Sequence, residues 1–355
     1  MPVQEDRNIV ELGLWSHCGP FSDTVLSTRV RLARNIGGIP FPYRLGPEEA
    51  DLIIPLVEKY ERHVYGDNSR MIRLRDLDRH GKRFLRERNI ITFEMEISDK
   101  SAVLYDEHDD FSILINEEDH LRIQVIRSGL QLREVYEKAD RIDDDINRFV
   151  PYAYSPDYGY LTTSPSNLGT GMKISVMIHL PALSIRKATG TLSAQFQNSG
   201  INISGTIGDS NRALGGIYQL SNRVSLGMSE LDIIELLDGA VSRVIFAEDE
   251  ARDDLFSHSR IELEDSIWRS VGLLSSARRM SYVEAIEHLS HVRLGIILAV
   301  IRNIDLIIIN NLMISVQVAH LQKAFNRVFQ ETTEGDEARA EFLRMNFNRV
   351  GCGNV

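Results

Sequence analysis

The sequence predicts an α+β protein, with a largely antiparallel sheet flanked by helices over residues 21–251 and an all-α domain over 252–355, after an N-terminal segment of residues 1–20. Three observations carry that expectation. Period-two alternation recurs in short runs between residues 25 and 203, a short polar connection joins two of those runs, and beyond Arg252 the alternation gives way to helical spacing. With 355 residues, 43% of them hydrophobic, the chain can bury one large core and a smaller one.

The first run, Val25 to Leu32, sets Ser27, Arg29 and Arg31 on one face and Leu26, Val30 and Leu32 mainly on the other. Two arginines then point the same way. Phe111 to Ile115 and Leu121 to Ile126 are two further strands, connected by the polar Asn116 to His120. Met172 to Leu180 alternates again, and Ile201 to Ile203 is a short strand ending at Gly205. Ala182 to Asn198 has helical spacing, and Ser229 is placed to cap a helix running to about Ala251. Ile261 to Leu274, Tyr282 to Ile301 and Leu306 to Phe329 read as helices, and Glu331 to Glu341 as a polar acidic loop before a last helix.

Composition narrows the function classes. A net charge of -11 argues against nucleic acid and membrane surfaces, which need an extended positive face, so an anionic ligand requires a local basic pocket. Only Cys18 and Cys352 occur, read as unpaired thiols in a reducing cytoplasm. The start, Met-Pro-Val-Gln-Glu-Asp-Arg, carries no secretory leader pattern. Polar residues interrupt the most apolar stretch, Leu294 to Val316, which reads as buried helices and not as a membrane span.

Several segments hold groups suited to phosphoryl transfer, which needs positive charge on the phosphates, a metal and a positioned nucleophile. Arg29 and Arg31 offer forked donors to phosphate oxygens, although two arginines on a strand face are also an ordinary solvated surface. Glu117, Glu118 and Asp119 form a carboxylate run, close to Arg122. Such a run is commonly just an acidic turn, but a guanidinium acceptor needs carboxylates to orient it and take its proton. Ser166-Asn-Leu-Gly-Thr-Gly171 and Gly205-Thr-Ile-Gly-Asp209 are glycine-containing loops able to present backbone N–H groups to an anion, with neither Walker nor dinucleotide-fold spacing. His17, His63, His120 and His179 show no metal-ligand spacing, so no protein metal site is expected.

Order and wording make these segments specific. Val25-Leu-Ser-Thr-Arg-Val-Arg-Leu-Ala-Arg-Asn35, Ile115-Asn-Glu-Glu-Asp-His-Leu-Arg-Ile-Gln124, Gly159 to Gly171, Val176-Met-Ile-His-Leu-Pro-Ala-Leu183 and Gln219-Leu-Ser-Asn-Arg-Val-Ser-Leu-Gly227 occur in one chain. It resembles the phosphagen (guanidino) kinases, most closely the bacterial protein arginine kinases of the McsB type, and the resemblance continues through Asp265 to Leu274 and His291 to Gly295. It implies transfer of the ATP γ-phosphate, with Mg²⁺, to arginine side chains of proteins, marking them for a chaperone-protease system. A homodimer through the helical domain and a separate zinc-binding activator protein are implied too. A small-guanidine kinase fits less well, because such enzymes place a helical domain before the sheet and the first motif here begins by residue 25.

Matched residue by residue, the resemblance implies nucleotide contacts at Ser27, Thr28, Arg29, Val30, Arg31, Asn89, Arg122, Lys173, Ile174, Ser175, Val176, Met177, Ser204, Gly205, Thr206, Ile207 and Gly208. It implies catalytic positions at Glu118, Asp209 and Ser164, and a phosphoarginine-sensing element at Asp336 and Arg339, whose first arginine is missing here. Departures concentrate at the chemistry. Ser164 stands at a reactive-cysteine position, Lys173 and Ser204 replace arginines, Asp209 replaces glutamate and Asn89 replaces histidine. Serine cannot supply a thiolate near neutral pH. Lys173 keeps charge without the fork. Ser204 keeps neither, at a typical cost of about 10²–10³ in rate for one lost transition-state donor. Asp209 is one methylene short, which can leave its carboxylate roughly 1 Å out of place. Two readings follow: a working, slow arginine kinase, or a pseudokinase that keeps the fold to bind nucleotide, phosphoarginine or partners.

Overall fold

The computed structural model describes residues 13, 16–64, 69–106, 108, 110–196, 199–205 and 213–347. An eight-stranded sheet dominates the first part, in the order β2-β3-β4-β5-β1-β8-β10-β9. These strands are β1 (Val25–Arg34), β2 (Ser69–Arg73), β3 (Ala102–Asp106), β4 (Phe111–Ile115), β5 (Leu121–Ser128), β8 (Met172–His179), β9 (Ile201–Gly205) and β10 (Ile217–Asn222). Every neighbouring pair is antiparallel. A two-stranded ribbon, β6 (Tyr154–Ser155) with β7 (Gly159–Tyr160), stands apart.

Strand β1 is central, and its alternation decides what each face does. Val25, Val30 and Leu32 join Ile174, Val176, Ile123 and Val125 in the main core, all essentially inaccessible. Two helices behind the sheet, α1 (Pro47–Val64) and α4 (Leu132–Asn147), contribute Ile53, Val57, Val135 and Ala139 to that core. At ~25 cal/mol per Å² of apolar area, each such side chain contributes about 1.5–3 kcal/mol against exposure. Arg34, at the end of β1, is buried on an ion pair with Asp143 of α4, at 2.7 Å, and donates to the carbonyl of Thr170 at 2.9 Å.

Helices α5 (Pro181–Ile185) and α6 (Thr189–Phe196) replace the single helix expected over 182–198. The break falls at Lys187, whose φ of 56° cannot continue a right-handed helix. The helix after Ser229, α7 (Glu230–His258), runs beyond the expected end and through the join expected at 251. Ser229 and Asp232 form the reciprocal cap that starts it. Helix α7 docks through Glu248, fully buried, which accepts the Ala182 and Leu183 N–H groups and the Arg252 guanidinium.

Beyond α7 all described elements are helical: α8 (Arg260–Ser276), α9 (Tyr282–Ile297), α10 (Leu306–Ser315), α11 (Val318–Ala324) and α12 (Thr332–Phe347). They enclose a second cluster around Ile267, Leu289, Ile309 and Leu343. Three expectations need correction. Helix α9 stops short of Ile301, with Ala299 at φ 56°. Gln317 is extended, and splits the stretch 306–329 into α10 and α11. The acidic stretch 331–341 is not a loop but forms most of α12, because Ala340, Phe342 and Leu343 bury one stripe while Glu337 and Glu341 face out. Among the described residues no helix is long and apolar enough to cross a membrane.

Two buried links join the helical region to the sheet. Arg293 donates to the Asp23 carbonyl at 2.9 Å, to Asn310 Oδ1 at 3.1 Å and to His179 Nδ1 at 2.8 Å. Burial, with Arg293 and Arg252 nearby, drives the His179 pKa well down, so its neutral ring accepts from Arg293 and presents Nε2–H to Ser290. The second link is Glu87, at the end of α2 (Arg79–Glu87), which caps α11.

Candidate active site

Register places the site residues before any ligand is considered. Arg31 of β1 lies across from Gln124 on one side and Lys173 on the other. Arg29 lies across from Ser175, and Ser27 from Met177. Residues paired across an antiparallel ladder share a face, so the three strands present Ser27, Arg29, Arg31, Arg122, Gln124, Lys173, Ser175 and Met177 together. The same alternation turns Thr28, Val30, Ile174 and Val176 to the opposite face, completely buried. Any part these four play at the site therefore falls to their backbone; the Thr28 hydroxyl bonds the Gly129 carbonyl at 2.6 Å.

A cavity of about 210 Å³ sits on the presenting face, lined by Arg31, Arg122, Lys173, Glu118, Ser164 and Asn167 among others. Its walls hold three cationic groups. Burial and then the charge of Arg122 lower the Arg29 pKa to about 10, and burial, Arg29 and Arg122 drive that of Arg31 well down. Lys173 is lowered to about 8 by burial, Arg31 and Arg223. Such mutual destabilisation is relieved by an anion of several charges. Arg31 Nε is buried and makes no hydrogen bond, an unmet donor at the cavity. Lys173 donates its ammonium to the Asn222 carbonyl.

The carboxylates come from the five-residue turn between β4 and β5. Asn116 takes a positive φ of 54° to open it. Asp119, fully buried, accepts from Asn35 Nδ2 and from the Thr163 N–H, both at 2.7 Å, tying this turn to the glycine-containing loop. His120 accepts the Ile36 N–H at Nδ1, and its Nε2 lies 2.8 Å from the Pro40 carbonyl, which makes it a neutral structural group. With Asp119 and His120 fixed, Glu117 and Glu118 face Arg122, which bonds them at 2.7 and 2.8 Å. Burial raises the Glu118 pKa, Arg122 opposes it, and Asp119 and Glu117 raise it further.

Ser164 follows in the loop 159–171, its Oγ 2.9 Å from Ser166 Oγ. Ser225 holds this loop by donating to the Leu168 carbonyl at 2.9 Å. Gly171 has φ +68°, and a Cβ there would come within 2.4 Å of Arg34 Nη1, so only glycine permits the approach. The loop is thereby packed against Arg34, the ion-paired end of β1.

Other expected positions fall around this centre. Ser204 lies across from Gln219, whose Oε1 accepts from Arg29 at 3.4 Å, so it sits on the presenting face towards the sheet edge with Gly205 next to it. Thr206, Ile207, Gly208 and Asp209 lie outside the described residues, as do Cys352 and the first twelve residues. Asn89, at φ 61°, offers its carbonyl to Gln124 Nε2 and lines a neighbouring larger cavity. Cys18 is a free, exposed thiol. Asp336 and Arg339 lie on α12 and do not line the Glu118 cavity. Arg339, 2% exposed, donates to the Val316 and Met280 carbonyls and to Asp336, all within the helical region.

Sequence reading did not single out Gln124, Gln219 or Asn222. Gln124 was legible from the alternation that places it with Arg122, and Gln219 from the same pattern in β10; Asn222 has the opposite parity and meets Lys173 only through its backbone carbonyl. Thr92, which donates to Glu117 at 3.1 Å, has no local signal at all.

Comparison with known proteins fits this geometry. Residues 56–251 match the family model described as ATP:guanido phosphotransferase, C-terminal catalytic domain, and residues 260–353 match the protein-arginine kinase McsB C-terminal domain. The chain belongs to the protein-arginine kinases of the guanidino kinase family. A protein-arginine kinase of Geobacillus sp. (strain WCH70) is 42% identical over 330 residues, which is 92% of this chain and 91% of that one. The corresponding protein of Symbiobacterium thermophilum is 38% identical over 332 residues, 92% of this chain and 94% of its own. Among solved structures, a lombricine kinase shares the fold with a TM-score of 0.57 at 24% identity, covering 69% of this chain and 72% of that one. A duplicated taurocyamine kinase from Schistosoma mansoni gives the same TM-score at 24% identity, over 68% of this chain and 35% of its own. At that identity the two structures speak to the fold alone.

Proposed function

We propose that this protein transfers the γ-phosphate of ATP to arginine side chains of proteins. The observation that carries the proposal is the juxtaposition of the buried, unbonded Arg31 Nε with Lys173, Arg122 and the Glu118 carboxylate around one cavity. A cation cluster alone would suit any phosphate; a carboxylate beside it suits a cationic acceptor. Membership of the protein-arginine kinases supports protein arginine as that acceptor.

Arg29, Arg31, Arg122 and Lys173 would hold the phosphates, with Mg²⁺ entering as part of the nucleotide substrate and bound mostly by phosphate oxygens and water. A guanidino nitrogen of the acceptor attacks the γ-phosphorus in line, the bond from phosphorus to the β,γ-bridging oxygen breaks, and ADP leaves. The acceptor's proton passes to Glu118, whose raised pKa makes it a better acceptor than an ordinary carboxylate. Phosphate competing for Arg122 would loosen its hold on Glu118 and strengthen that base further. Ser164 reaches the same cavity and can hydrogen-bond the acceptor without adding charge. Asp209 would hold the acceptor from the other side.

We further propose residues 21–251 as the catalytic domain, residues 252–355 as the dimerising domain, and a cytoplasmic protein serving a chaperone-protease system with help from a zinc-binding activator. A phosphoarginine-sensing role for Asp336 and Arg339 is proposed only with release of their mutual bond and of the Arg339 bonds to Val316 and Met280. The test is transfer of label from γ-labelled ATP to an arginine-rich protein through an acid-labile bond, with any activator added. Binding of ATP with no such product identifies the pseudokinase instead.

A further inference from the structure

A second cavity, of about 440 Å³, opens on the same face of the sheet beside Arg29. Ser27, Arg29, Gln124 and Met177 form its floor, and Asn89 and Thr92 one side. The opposite wall comes from the helical region: Tyr282 and Ile286 of α9, Met313 and Ile314 of α10, and Gln317 ahead of α11. Its size and its apolar walls with a few polar groups suit a small organic ligand.

Its position limits what that ligand is. Arg29 lines this cavity and Arg31 the phosphate-sized one, and two residues of strand separate them by about 7 Å. A molecule with its anionic end on Arg31 and Lys173 therefore lays its remaining part along Arg29 into the larger space. A nucleoside triphosphate has that shape and that division of polarity.

Besides the Arg293 link, a buried carboxylate ties the end of this wall to α2. Glu87 accepts the N–H groups of Ala319 at 3.0 Å and His320 at 3.2 Å, and lies 3.0 Å from His320 Nδ1. Phe84 of the same helix packs on the His320 ring at 4.8 Å between centroids. Burial alone would raise the Glu87 pKa, but the bonds from His320 and Ala319 outweigh it and the net shift is downward, as expected of an anion capping a helix.

We propose that the C-terminal helical region forms one wall of the nucleoside subsite, with Tyr282 as the aromatic contact of the base and Glu87 as the positioning residue that holds the wall against the sheet. Base recognition then spans both halves of the protein, whereas phosphate recognition belongs to the sheet alone. This inference rests on the reading of the Arg31 cavity as a phosphate site.

Calorimetric titration of the full-length protein with ATP and, separately, with inorganic tripolyphosphate tests it. Tyr282→Ala should weaken ATP by about tenfold, the scale of one base–aromatic contact, while tripolyphosphate affinity stays within about twofold. Ile314→Trp, which narrows the cavity from the helical side, should give the same split, as should Glu87→Gln by releasing the wall. Thermal melting identifies the variants that fold, and the three substitutions touch three different elements. Unchanged ATP affinity in folded Tyr282→Ala and Ile314→Trp overturns the proposal, and so does an equal loss of both ligands, which is what a merely structural role would give. Wild-type protein that binds neither ATP nor tripolyphosphate overturns the phosphate site itself, a different failure from loss of the nucleoside wall.

Discussion

Lys173 makes the affinity for nucleotide depend on pH in a range where arginine would not. Its ammonium is lowered to about 8 by burial and by Arg31 and Arg223. About nine-tenths of the free protein therefore carries the charge at pH 7 and about one-tenth at pH 9. Bound phosphate supplies the missing anion and returns the group towards its ordinary value, so binding takes up a proton above pH 8 and weakens as pH rises. The full shift corresponds to about a tenfold loss of ATP affinity between pH 7 and pH 9, and solvent screening at this partly exposed group reduces that to a lower limit of about threefold. Arg29, held at about 10, adds a loss only above that range. Calorimetry at half-unit intervals, on wild type and on Lys173→Arg, reads the effect directly. Affinity should decline in the wild type and stay flat in Lys173→Arg; a flat wild-type profile, or parallel declines in both proteins, would refute the reasoning.

Three further outcomes follow from particular contacts. Ser164→Cys restores a group that can ionise beside Lys173 and Arg31, so turnover should rise, by about tenfold for each 1.36 kcal/mol of added transition-state stabilisation, with the gain growing through the thiol titration range; a fall in rate at every pH counts against that role for the position. Arg34→Ala strands Asp143 and the Thr170 carbonyl in the core and should cost about 3–5 kcal/mol in denaturant unfolding, whereas a loss below about 1 kcal/mol would show the pair to be dispensable. Arg339→Ala should lower the melting temperature through loss of buried bonds to Val316, Met280 and Asp336, by about 3 kcal/mol in stability, and a variant as stable as wild type would contradict its placement inside the helical region.

Much of the central sheet was legible because in β1, β5 and β8 apolar residues alternate with polar ones, so that alternation in sequence is alternation in space. That is why Arg29, Arg31, Arg122 and Lys173 could be grouped before their register was known. Strand β3, with Ala102, Val103, Leu104 and Tyr105 all buried, has two covered faces and no alternation to read. The helical breaks were hidden for another reason. Lys187 and Gln317 are residues that ordinarily continue a helix, and only tertiary packing sets their backbone otherwise. Arg339 shows the reverse difficulty: in an acidic stretch it reads as surface, yet three carbonyl and carboxylate oxygens from separated segments converge on it. The composite wall around Tyr282 and Ile314 was equally out of reach, since it needs the docking of α9, α10 and α11 against the sheet. Motif order supplied the acceptor chemistry; the structure supplied the unbonded Arg31 Nε and the grip of Arg122 on Glu117 and Glu118.

The central claim is that Glu118 takes the proton of an arginine acceptor while the cations beside it hold the phosphates. Mass spectrometry of an arginine-rich protein after incubation with this kinase, ATP and Mg²⁺, run beside a Glu118→Ala control that retains ATP binding, tests it most directly. Acid-labile phosphoarginine with wild type, falling by at least about 10²-fold in the control, is the predicted result. Equal signal from the two proteins, or none from wild type, would contradict it.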